Sequence, residues 1–121
     1  MRVLIAVLVA ATLLSASPAS AQQTRRCDGG FTIEVRGDRL RVHAIDARAV
    51  GCRAAKRTVR SFLDKVDRSA RCHRASRRPP PTRGCSVGAW RCFRRAATKY
   101  CARPQPSADV SWRERPASQG R

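Results

Sequence analysis

The sequence predicts a small α+β domain stapled by disulfides, and three observations carry that prediction. Six cysteines, Cys27, Cys52, Cys72, Cys85, Cys92 and Cys101, all follow an N-terminal segment with leader-peptide character. Apolar alternation marks a β-hairpin from Phe31 to Ala44. Three- and four-residue apolar spacing after Gly51 marks an amphipathic helix. The expected architecture is an N-terminal hairpin and one helix packed on an antiparallel sheet of about 3–5 short strands.

Arg2 supplies a positive charge, Val3 to Leu14 is apolar except for Thr12, and Ser15 to Ala21 is a small-residue tail ending in Ala-Ser-Ala. That is the pattern of a signal peptide over residues 1–21, with cleavage expected between Ala21 and Gln22. The apolar run is shorter than the roughly 20 residues that a membrane span needs. Residues 22–121 are then a single basic domain, expected in a secreted or other extracytoplasmic location such as the cell envelope. The even cysteine count suits an oxidising compartment.

The formal net charge is +18, from 26 Lys and Arg against 8 Asp and Glu, and Arg2 is the only charge in the leader. Residues 22–121 contain only fourteen Val, Ile, Leu and Phe. So sparse an apolar content with so high a charge is ordinarily a disorder signature. Three disulfides, each worth about 2–4 kcal/mol in small exported domains, offset that deficit.

Element by element, Gln22 to Arg26 reads as a polar lead-in. A type II′ turn at Gly37-Asp38 would pair Val35 with Leu40, Ile33 with Val42 and Phe31 with Ala44 on one face. The other face then sets Glu34 against Arg41 and Thr32 against His43, at the cost of Arg36 facing Arg39. Cys52, Ala55, Val59, Phe62, Leu63 and Val66 form the inner stripe of a helix over residues 52–67, with Arg53, Lys56, Arg57 and Arg60 opposite. Residues 69–84, arginine-rich and containing Pro79-Pro80-Pro81, read as an exposed loop. Short strands follow over Val87–Arg94, Lys99–Arg103 and Asp109–Arg113, and residues 115–121 read as a frayed tail. There is no internal repeat.

Six cysteines allow fifteen connectivities. The proline-containing segment between Cys72 and Cys85 favours a local Cys72–Cys85 bridge. Cys52 on the helix faces the strand bearing Cys92, which favours Cys52–Cys92 and leaves Cys27–Cys101. The competing set, Cys92–Cys101 with Cys27–Cys52, stays open.

The run Ile45-Asp46-Ala47-Arg48-Ala49-Val50-Gly51-Cys52-Arg53-Ala54-Ala55 resembles an element of small exported actinobacterial cysteine-containing proteins of unknown function. In those proteins an extended Ile-x-Ala segment leads through a short turn to a helix-start Cys-x-x-Ala. Trp90-Arg91-Cys92 and Cys101 are similar to their later aromatic-x-Cys and Cys strands. The resemblance implies the fold and no activity. This chain departs from the pattern at Gly51, where those proteins have Ser, and in the segment between Cys72 and Cys85. High Arg and Ala with scarce Lys also fit a GC-rich genome.

The charge is expected to attract anionic envelope polymers or nucleic acid. Arg74, Arg77, Arg78 and Arg83 are the densest local group and the candidate polyanion site. The arginines as a whole are spread along the entire chain, which favours a solubilising role over selected binding. Glu34, Arg41 and His43, placed on one hairpin face, are the residue types of a secreted ribonuclease, with carboxylate and imidazole as base and acid. No second catalytic cluster accompanies them, so catalysis is not expected. Cys72-His73 with Cys85 and Cys92 lacks paired C-x2-C spacing, and bridges compete for the thiols, so no metal is expected. No phosphate-binding glycine loop, cofactor motif or nucleophile signature is present. Arg36-Gly37-Asp38 matches an adhesion tripeptide but is explained by the turn, and Pro79–Pro81 by a stiff spacer. The favoured reading is a cationic, exported, non-catalytic bacterial protein. The alternative is polyanion binding, with antimicrobial effect in one form of it, and the enzyme alternative is a ribonuclease.

Overall fold

The computed structural model describes residues 23–117. The expected leader, its Ala21–Gln22 cleavage site and positions 118–121 lie outside the described residues. The order is β1 (Thr24–Cys27), β2 (Phe31–Val35), β3 (Asp38–Arg48), α1 (Cys52–Arg68), α2 (Ala70–Ser76), β4 (Cys85–Val87), β5 (Trp90–Arg95), β6 (Thr98–Pro104) and β7 (Ser107–Pro116). The class is α+β, with two helices and a seven-stranded antiparallel sheet in place of one helix and a smaller sheet. Among the described residues, no helix is long and apolar enough to cross a membrane.

The sheet runs β1-β3-β7-β6-β5-β4, and β2 also pairs with β3. The long β3 therefore carries two short strands on one edge, β2 along its first half and β1 along its second. Thr24 to Cys27 pairs with Arg48 to Ile45, a strand that four residues including two arginines do not announce. On its other edge β3 pairs with β7, with a register break between His43 and Asp46. Ala44, at φ 49°, sits in that break. Such a bulge inserts one residue and reverses which side chains face inward. Leu40 and Val42 point to the core before it, and Ile45 and Ala47 after it. Ala44 does not oppose Phe31, which pairs with Val42 instead.

The hairpin register differs from the expected one by two residues. Val35 pairs with Asp38, Ile33 with Leu40, Phe31 with Val42, Glu34 with Arg39 and Thr32 with Arg41. The turn is Arg36-Gly37, both at positive φ (52° and 88°). That is the dihedral signature of a type I′ turn, which twists with the strands. A shift of two keeps every side chain on its face, so the apolar pattern is equally satisfied. It also replaces the expected Arg36–Arg39 clash with a Glu34–Arg39 pair.

Helix α1 starts one residue after Gly51 and buries Ala55, Val59, Phe62, Leu63 and Val66. They face the inner side chains of the sheet, where the Phe62 ring meets Trp112 edge-on at 5.8 Å. Residues 69–84 are not one loop. Ser69 accepts a hydrogen bond from the Cys72 amide and starts α2, a cap whose acceptor satisfies an otherwise orphan helix-start N–H. Buried Ser76 donates to the His73 carbonyl at 2.9 Å near its end. The tail is also shorter than expected, because Arg115 and Pro116 pair with Arg41 and Leu40 in β7.

The disulfides are Cys27–Cys52, Cys72–Cys85 and Cys92–Cys101. Cys72–Cys85 joins α2 to β4. The favoured Cys52–Cys92 and Cys27–Cys101 bridges do not form, for two geometric reasons. Cys92 and Cys101 are direct cross-strand partners in β5 and β6, with Cα atoms 4.1 Å apart. Cys52 opens α1 beside the end of β1, 5.5 Å from Cys27. A bridge needs Cα atoms within roughly 7 Å. The competing set is the one the fold builds.

Candidate anion-binding site

Helix α2 and the segment after it gather the arginines. Positions 71, 74 and 75 follow helical spacing and share one side of α2, and Arg78 follows two residues after its end. The chain then folds back through a turn in which the Thr82 amide donates to the Pro79 carbonyl at 3.2 Å. Gly84, at φ +58°, lies so close to β5 that a Cβ there would sit 2.8 Å from both the Cys92 carbonyl oxygen and the Phe93 ring. Only glycine lets the segment approach at that point. The Cys72–Cys85 bridge closes its base.

The result is an open bay of about 420 Å³ that includes Arg71, Arg74, Arg78, Thr82 and Arg83 in its walls. Three of the four arginines expected to form a cluster, Arg74, Arg78 and Arg83, meet there. Arg77 does not: it caps the C-terminal end of α2 and lines a separate depression. Arg71 takes the fourth place. It was absent from the expected set because residues 69–84 read as loop, where spacing carries no facial information.

Four arginines outside the bay are paired with acidic groups. Arg26 pairs with Asp46 at 2.5 Å, Arg48 with Asp109, Arg68 with Asp64 at 2.7 Å and Arg94 with Glu114 at 2.8 Å. The Arg26 guanidinium is held further toward its charged form, first by the Asp46 hydrogen bond and then by its charge. Among the described residues, none of the bay's four arginines has an acidic partner within ion-pair distance. Their field is therefore open to a ligand.

Glu34, Arg41 and His43 are not assembled into a catalytic group. Glu34 stands opposite Arg39, Arg41 is between Thr32 and Arg115, and His43 is beside Arg113. Burial, followed by Arg115, Arg113, Arg41 and Arg26, holds the His43 imidazole below its ordinary pKa. No carboxylate hydrogen-bonds to it among the described residues. Cys72, Cys85 and Cys92 are all disulfide-bonded and so are not thiolate ligands. Among the described residues, no cluster of His, Cys, Asp and Glu has metal-site geometry.

One charged group sits where the core would be expected to exclude it. The Glu114 side chain is 4% exposed, and it accepts from Arg94 and from the Trp112 indole N–H at 2.8 Å. Its two oxygens are thus satisfied, and the trio is structural. No family model, curated protein or solved structure matches this chain.

Proposed function

We propose that the protein is an exported, non-catalytic binder of anionic polymers, and that the Arg71/Arg74/Arg78/Arg83 bay is its contact site. The observation that carries this reading is the convergence on one concavity of four arginines, none of which has an acidic partner among the described residues. A charge that only solubilises has no need to converge on one concavity. Three disulfides fit an oxidising compartment, and export further rests on the leader pattern of residues 1–21. The anionic polymer is an envelope glycan or a nucleic acid.

Binding of the oxidised protein to RNA, DNA and an anionic glycan tests the proposal. At about 0.15 M salt, where the Debye length is near 8 Å, diffuse surface attraction is largely screened. Binding should persist there and fall when Arg74, Arg78 and Arg83 are changed to Gln. Replacing Arg39, Arg53 and Arg57, an equal loss of charge elsewhere, should leave most of it. Equal losses from both triple variants would show that net charge alone is responsible. Turnover of RNA abolished by Glu34→Gln and by His43→Ala, with the fold intact, would replace the proposal with the ribonuclease reading.

A further inference from the structure

A second depression, of about 510 Å³, lies where the β2–β3 turn, α2 and the β5–β6 turn meet. Arg36 and Asp38 enter from the hairpin, His73 and Arg77 from α2, Arg94 from β5 and Lys99 from β6. Four permanent cations from four parts of the chain thus surround one space. Arg94 is satisfied by Glu114 beneath it. Arg36 leans on the carbonyls of Val66 and Asp67, both at 3.5 Å, and Lys99 donates to the Ala96 carbonyl. Those contacts leave further N–H groups unused on both. Arg77 has no acidic partner among the described residues.

The imidazole of His73 stands in the wall of the same depression. Its Nδ1 is buried and is the one buried side-chain nitrogen or oxygen without a hydrogen-bond partner among the described residues. We propose that this depression binds a single tetrahedral oxyanion, the phosphate or sulfate group of an ester, between Arg36, Arg77 and Lys99, with the His73 imidazole in its wall. A tetrahedral anion offers oxygens in several directions at once, which suits donors arriving from separate elements. Charge-assisted bonds to guanidinium and ammonium are the strong kind. The site is distinct from the arginine bay and does not rest on it.

Binding is also coupled to pH. Burial first, then Arg36, Arg77, Arg94 and Arg74, keep the His73 imidazole below its ordinary pKa. The acidic groups nearby are Asp38 on the rim, Asp67 held to Arg36, and Glu114 held to Arg94. An oxyanion offsets the arginine repulsion and favours the imidazolium. By linkage, it binds more tightly as His73 becomes protonated.

The chain has two histidines, His43 and His73, so imidazole NMR reads the site directly. Inorganic phosphate, methyl phosphate and methyl sulfate are the probes, at constant ionic strength in chloride. The expected result is a saturable shift of the His73 resonances, a raised His73 titration midpoint and an unmoved His43. Whichever methyl ester saturates at lower concentration names the ester class. Arg77→Gln with Lys99→Gln should weaken the affinity about tenfold or more, since each removes a charge-assisted bond. The same variant should keep its polymer binding through the bay, which separates the two sites. His73→Gln, followed by calorimetry, should bind with its pH dependence lost. No His73 shift, parallel shifts of both histidines, or a response unaltered by the double change would overturn the proposal.

Discussion

The backbone N–H of Arg36 donates to Oδ1 of Asp67 at 2.6 Å, fastening the tip of the β2–β3 hairpin to the end of α1. Arg36 occupies a left-handed conformation (φ 52°), which an L-residue with a side chain adopts at a cost. The bond to α1 holds it there. It joins the choice of turn, and with it the strand register, to the helix packed above.

Asn at the first central position of a type I′ turn is favoured over Arg. Arg36→Asn should therefore raise stability by about 0.5–1 kcal/mol in urea unfolding. Asp67→Ala removes an exposed carboxylate acceptor and should cost about 1 kcal/mol. A large loss in Arg36→Asn would mean that the turn has different dihedrals.

Glu114 is the most sensitive charged position. Glu114→Ala would strand Arg94 and the Trp112 indole N–H, whose shared acceptor is 4% exposed. Loss of one member of such a pair should cost about 3 kcal/mol or more. The double replacement Arg94→Met with Glu114→Leu should recover much of that, because it leaves no orphan charge. Both effects are measurable through Trp fluorescence during denaturation. Equal destabilisation in the single and double variants would show that packing, not charge, is responsible.

The three bridges should carry most of the margin of stability. Each is worth about 3 kcal/mol by its loop-closure contribution. Cys27–Cys52 spans 25 residues and Cys92–Cys101 only 9, so Ala replacement of the first pair should destabilise more than that of the second. Reduction of all three should abolish the near-ultraviolet signal of Trp90 and Trp112. A cooperative thermal transition retained in excess reductant would show that the core suffices alone.

Acid should weaken the fold through its histidines. Both imidazoles titrate lower in the folded protein than their ordinary value, mainly through burial and secondly through arginines. Between the folded and unfolded values, the unfolded chain binds more protons, so stability rises with pH. The contribution is complete above the unfolded histidine pKa, near about 6.5, and is lost as pH falls through and below it. His43→Gln with His73→Gln should flatten the stability profile between about pH 7 and pH 5. An unchanged slope would assign the acid sensitivity to carboxylates.

Much of this architecture was legible locally. The stripe Ala55, Val59, Phe62, Leu63 and Val66 depends on helical spacing alone, and all five residues are buried as that spacing requires. The hairpin's apolar residues Phe31, Val35, Leu40 and Val42 likewise face inward, whereas Ala44 does not. The arginine bay was half legible, because Arg74, Arg78 and Arg83 are close in the chain whatever its conformation. Helix α2 was not, since arginine content and a following proline run mask a seven-residue helix started by one serine.

The sequence by itself determined which side chains face the core, where the long helix lies and that six cysteines must brace a thin interior. Those properties depend on periodicity and composition, which need no partner. Tertiary structure decided the register of the hairpin, because two registers two residues apart bury the same side chains, and the observed one adds the Arg36–Asp67 contact and sets Glu34 against Arg39. It decided the bulge at Ala44, which β7 induces by pairing on both sides of it, and the bridges, which follow from which cysteines become neighbours. It also set His73, Arg36, Arg77 and Lys99 around one space, a convergence from distant segments that no local pattern contains.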